Sequence, residues 1–195
     1  MGTWIFIGFL LLVLVYIIAI YNKLIALRNR FKNGFAQIDV QLQRRHDLIP
    51  SLVESTKAYL GHEKDTLTRV IEARNQAETA RKAARTQPEN AGTMTALGRA
   101  EGLLSGSLAN LYAVSEQYPE LRANETIAQL MEELTSTENR VGFARQAFND
   151  LVMDYNTYRE QFPNNFIAGL FGSFKAAQQL ELENPAARQA VKVSF

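Results

Sequence analysis

From residue 1 to residue 22 the chain carries no charged side chain, and residues 4–21 are almost wholly aliphatic or aromatic. A helix rises about 1.5 Å per residue, so a bilayer core about 30 Å thick takes about 20 such residues. The stretch matches that requirement. It is apolar on every face, which sets it apart from the one-sided helix of a soluble domain. Trp4 stands at one border, with Tyr16 and Tyr21 towards the other, and Lys23, Arg28, Arg30 and Lys32 follow at once. The span is read on Trp4, Ile5, Phe6, Leu10, Leu14, Tyr16, Ile20 and Tyr21. Met1-Gly2-Thr3 has no basic side chain and Ile20-Tyr21-Asn22 makes a poor cleavage site, so the segment reads as an uncleaved anchor. Basic residues on the downstream flank alone predict the N-terminus outside and the bulk of the chain in the cytoplasm.

The chain has 195 residues, and removing the anchor leaves about 170, enough for one domain. A net charge of +1 gives no global reason to expect nucleic acid. Locally, Lys23, Arg28, Arg30, Lys32, Arg44 and Arg45 face only Asp39 and Asp47. Such a juxtamembrane excess attracts anionic lipid headgroups at about 1 kcal/mol per residue, and it also fixes topology; the two roles are compatible. The absence of cysteine excludes disulfides, zinc–thiolate sites and thiol nucleophiles.

Apolar periodicity continues past residue 22 through Leu24, Leu27, Phe31, Phe35, Ile38 and Leu42, so the anchor is expected to run straight into the first soluble helix. Gly34 weakens that stalk slightly. Either Pro50 or Gly61 separates the first two soluble helices. A loop is expected over residues 86–92, with Thr93 as the cap of the next helix, which Tyr118-Pro119 ends. The last long helix carries Ile127, Leu130, Leu134, Thr137, Val141, Ala144, Phe148, Leu151, Tyr155, Tyr158 and Phe162 at alternating steps of three and four. Asn124 can cap it and Phe162-Pro163 stops it. Strand signals are absent. The expected fold is all-α: an N-terminal transmembrane helix continuing into an antiparallel bundle of four long helices. The chain divides into an anchor (1–22), the bundle (23–162), an amphipathic membrane-proximal segment (163–175) and a polar, flexible tail (176–195).

Counting passes brings the fourth helix back towards the membrane. Phe166, Ile167, Leu170, Phe171 and Phe174 then fall on one face of a short helix, which can lie in the bilayer interface or pack beneath the bundle as a lid.

Catalytic patterns fail. His62-Glu63 begins a metalloprotease-like string, but its second histidine would stand where Thr66 does. His46-Asp47 has no second ligand at helical spacing. Glu132, Glu133, Glu138, Asp150 and Asp154 read as solvated helix faces, and no phosphate loop or nucleophile elbow occurs. Neither catalytic activity nor a cofactor is expected. A polar cluster of Arg44, Arg45, His46 and Asp47 on the first soluble helix, with Glu138, Arg140 and Arg145 on the last, either pairs between helices or subunits or forms ordinary surface.

The strings YNKLIALRNRFKNGFAQIDVQLQRRHDLIPSLVES, GHE, ENRVGFARQAFNDLVMDYNTYREQFPNNFIAGLFG and the closing KVSF closely resemble the LemA family across nearly the whole chain. The resemblance implies a single N-terminal span, N-out and C-in, below a cytoplasmic four-helix bundle in a bacterial inner membrane. It brings no catalytic residues. Residues 176–187, here rich in Gln and Ala, lie where the family varies. The expected role is a non-enzymatic, self-associating membrane scaffold. The alternatives are an adaptor that recruits a soluble protein and, lowest in rank, an enzyme acting through His46 or Glu63.

Overall fold

The computed structural model describes residues 1–61 and 63–181. Six helices are present among them, and no strand: α1 (Gly2–Thr56), α2 (Lys64–Thr86), α3 (Ala91–Ser115), α4 (Pro119–Arg122), α5 (Glu125–Glu160) and α6 (Asn164–Phe171). The four long helices are α1, α2, α3 and α5.

α1 is a single element of 55 residues, about 82 Å end to end. Its first part is the apolar stretch, whose side chains stand outside the bundle; α1 alone among the described helices is long and apolar enough to cross a bilayer. Beyond it, Leu24, Leu27, Phe31, Phe35, Ile38 and Leu42 are buried, as the period predicts. The helix passes through Pro50 without a break. Proline has no N–H to give to the carbonyl four residues back, which belongs to His46. Arg74 Nε on α2 donates to that carbonyl instead, at 3.2 Å. A guanidinium from the neighbouring helix thus replaces the missing backbone donor, and α1 ends only at Thr56, shortly before Gly61.

α2 runs antiparallel to α1, since Arg28 and Lys32 meet Glu89 just past its end while His46 meets Glu78 higher up. α5 is also antiparallel to α1: Phe31 meets Tyr155 at 5.1 Å with the rings tilted, and Phe35 meets Phe148 edge-on at 5.8 Å. The helices are close at Gly34, where a Cβ would stand 2.8 Å from the tip of the Leu151 side chain. Two expectations about helix ends change. Asn90, not Thr93, caps α3, accepting from Gly92 N at 2.8 Å, while the Thr93 hydroxyl donates back to the Gln87 carbonyl. Phe162 does not continue the α5 seam, because the helix has already ended at Glu160. Asn124 caps α5 as expected, accepting from Ile127 N at 3.1 Å.

The expected flexible tail needs the larger correction. From Phe174 to Glu181 the chain is an extended strap along α5, with Phe174, Ala177 and Leu180 buried in the bundle's apolar cluster. Residues 182–195 lie outside the described residues. The strap is held by side-chain amides acting in place of a neighbouring strand. Asn156 donates to the Ala177 carbonyl (2.8 Å) and accepts from its N–H (3.0 Å). Asn149 does the same for Leu180, at 3.3 and 2.9 Å. Seven helical residues rise about 10.5 Å and three extended residues span about 10 Å, so the two periods coincide. On the other side α3 comes close enough that a Cβ at Gly98 would lie 2.1 Å from the Glu181 carbonyl oxygen.

Gly98→Ala is therefore expected to displace the strap and to cost about 1–3 kcal/mol. Hydrogen exchange should show the amides of Ala177 and Leu180 losing protection first.

Candidate functional site

Halfway along the bundle the core changes from apolar to charged. Arg45 and His46 occupy positions where α1's inward stripe, Ile38–Leu42–Ile49–Leu52, would otherwise carry aliphatics. Glu101 does the same between Leu97 and Leu104 on α3. All three are sheltered from solvent, at 1%, 0% and 0% exposure. Glu101 accepts from both α1 residues: Arg45 Nη1 lies 3.2 Å from Oε2, and His46 Nε2 lies 2.8 Å from Oε1. The other imidazole nitrogen, Nδ1, is 2.9 Å from Glu78 Oε2 on α2. Glu78 is in turn forked by Arg81, whose Nη1 reaches Asp39 on α1. Arg45 Nη2 donates to Ser105 Oγ at 2.8 Å and stands 3.9 Å from Glu138 on α5.

Arg45 and Arg81 oppose Asp39, Glu78 and Glu101, with the exposed Lys82 and Arg85 pairing at the edge. The arrangement ties α1, α2 and α3 together at one height and touches α5 through Glu138. Hydrogen bonds from Arg81 hold the Glu78 carboxyl far below the usual carboxylate range; partial burial opposes this, and His46 and Lys82 add to it.

The expected polar cluster divides. Arg45 and His46 form the buried centre, and Glu138 is its exposed rim. Arg44 instead pairs with Glu133 on the surface at 3.4 Å. Asp47 and Arg140 are exposed and lie outside the network. Arg145 is half-buried beside Glu138, Asn139, Gly142 and Phe143 in a shallow depression where the strap ends at Leu180 and Glu181. Glu78, Arg81, Glu101 and Ser105 do not stand out in the sequence as members of the site. The available signal was a carboxylate, Glu101, in register with leucines, which requires a buried cation opposite it. Arg45, His46 and Glu101 are thus closed to solvent. Among the described residues no group of three or more His, Asp or Glu side chains is arranged to hold a metal; His62 lies outside those residues.

At the other end of the bundle the basic flank also divides. Arg28 and Lys32 are drawn to Glu89, at 3.1 and 2.9 Å. Burial pushes the Glu89 carboxyl up, but these two partners outweigh it and hold it below its ordinary range. Lys23 and Arg30 remain exposed. Trp4, Ile5, Phe6, Leu10, Leu14 and Tyr16 are exposed, whereas Ile20 is buried and Tyr21 half-buried against the α6 region. Tyr21 meets Phe171 at 4.8 Å and Phe174 at 5.4 Å, both edge-on. Phe166, Leu170 and Phe171 are exposed on α6 and Ile167 is partly covered. Phe174 is not on the helix face expected for it: α6 ends at Phe171, Gly172 turns the chain at φ +61°, and Phe174 packs inward.

These features define a membrane-associated all-helical protein, carried on one apolar N-terminal helix and locked internally by buried charge. The chain belongs to the LemA family, whose model matches residues 34–195. Its relatives include magnetosome proteins MamQ 1 and MamQ 2 of Paramagnetospirillum magneticum and MamQ of Magnetospirillum gryphiswaldense. Each is 26% identical over 181 residues, covering 85% of this chain. The match takes in 66% of each relative's own length, just under two thirds.

Glu101→Ala leaves Arg45 and His46 buried without their shared acceptor and is expected to cost about 3–5 kcal/mol. Glu133→Ala, which breaks only an exposed pair, should cost under about 1 kcal/mol. Denaturant titration of the solubilised protein compares them. Because Glu78 binds its proton less readily in the fold than in the unfolded chain, its contribution is complete above the ordinary carboxylate range. That contribution is lost as the pH falls below about 4.5. Glu78→Gln should flatten this acid limb of the stability curve.

Proposed function

We propose that this protein is a non-enzymatic scaffold of the bacterial inner membrane, anchored by residues 1–22 with its N-terminus outside and its bundle in the cytoplasm. The observation that carries this reading is the jointless α1, which joins the apolar segment to the bundle's full height as one rod. Rigid, identically oriented rods at a common height are suited to side-by-side association in a membrane plane. Lys23 and Arg30, the cations that Glu89 does not engage, supply attraction to anionic headgroups. The buried charge network supports a structural role for the polar residues, since its members bond chiefly to one another between helices. Neither a cofactor nor nucleic acid enters this function.

A second reading, an adaptor for a soluble protein, is favoured by one feature: the depression around Arg145 and Asn139, edged by the exposed Phe143. Mass photometry and electron microscopy of the full-length protein, extracted in native lipid, separate the two. Large closed assemblies retaining lipid are expected. A monomer removes the scaffold reading; partner loss on Phe143→Ser with assembly intact points to the adaptor.

A further inference from the structure

We infer that α6 is a second membrane contact, carried by the bundle and inserted among lipid acyl chains beside the last turn of the anchor; this rests on the anchored reading above. Four large apolar side chains around this short helix remain largely exposed among the described residues. Phe162 is 80% exposed, Phe166 68%, Leu170 77% and Phe171 48%. A cluster of this kind on one surface marks an interaction site.

Its position selects the occupant. Phe171 packs edge-on against Tyr21, the last residue of the apolar stretch, and Ile20, Ala168 and Phe174 belong to one buried cluster. α6 is therefore continuous with the segment that enters the bilayer. A surface at that height faces acyl chains on one side and headgroups on the other. The charge order fits: Lys23 and Arg30 lie exposed just beyond Tyr21, at headgroup level, whereas α6 itself carries no charged side chain.

α6 is also fixed at both ends. Asn164 Nδ2 donates to the Tyr158 carbonyl at 2.9 Å, binding its start to α5. Past its end, Arg159 Nε donates to the Phe174 carbonyl and the Tyr155 hydroxyl to the Lys175 carbonyl, each at 2.9 Å. The apolar face cannot fold back into the bundle while these contacts hold.

The chain has one tryptophan, Trp4, which makes the test direct. The full-length protein is reconstituted in phosphatidylcholine–phosphatidylglycerol vesicles brominated on their acyl chains, and tryptophan fluorescence is read in three versions. Trp4 in the unaltered chain reports on the anchor. Trp4→Phe with Phe166→Trp reports on α6, and Trp4→Phe with Phe143→Trp on the bundle's flank. The inference expects bromine to cut the signal at positions 4 and 166 by roughly twofold and to leave position 143 unchanged. Quenching at 4 without quenching at 166 overturns it while sparing the anchor, as when a second copy covers α6. Absence of quenching at 4 overturns both. Leu170→Glu, added to the Phe166→Trp version, should restore fluorescence at 166; unaltered quenching would show that the helix face plays no part.

Discussion

Glu101 is the acceptor on which the upper half of the bundle depends. It sits on α3 with no exposure and binds two successive residues of α1, Arg45 and His46. An ion pair of this kind adds little net stability, because desolvating both partners offsets their attraction. Its effect lies in discrimination. A slip of α3 by one turn would put a leucine opposite Arg45 and His46 and a carboxylate opposite leucines, a penalty that apolar packing alone does not impose. Glu78 and Arg81 repeat the requirement on α2, with Asp39 as their partner on α1. The long helices can therefore be apolar for most of their length and still adopt one register.

The strap solves a different problem. α1 packs on α2 and α5, and α2 on α3, which leaves α3 and α5 to be joined. In the lower half, extended chain fills that gap, with Phe174, Ala177 and Leu180 completing the core. An isolated extended segment buried between helices has backbone donors and acceptors to satisfy. Asn149 and Asn156 satisfy them, and Gly98 provides the room. The strap also fastens the segment that follows α6, so the same contacts complete the core and set the position of the short helix.

Much of this architecture is legible in the residues. The uncharged first 22 positions and the three-and-four spacing of α1 and α5 specify an all-helical rod on an apolar stem. The strap was not legible as structure because a chain held by side-chain amides has no alternation of its own. Its trace is the spacing of Phe174, Ala177 and Leu180 against asparagines seven apart on α5. The charge network is half legible: Arg45 and His46 stand out as a polar group, but charged side chains are ordinarily surface residues. Only their register with Ile38, Leu42 and Ile49 marks them as internal. The choice between Pro50 and Gly61 is open in the sequence for a physical reason, since what keeps the helix whole through Pro50 is Arg74, a residue on another helix.

The continuity of α1 has a mechanical consequence. From Tyr21 to Thr56 the rod extends about 52 Å beyond the apolar stretch, so a 20° tilt of the stem sweeps its far end through about 18 Å. Tilt is how a helix longer than the local hydrocarbon layer adapts to it. A change of a few ångströms in bilayer thickness would then appear, amplified, as a displacement of the domain's tip. Pressing on one side only, α6 would give that lever a preferred direction.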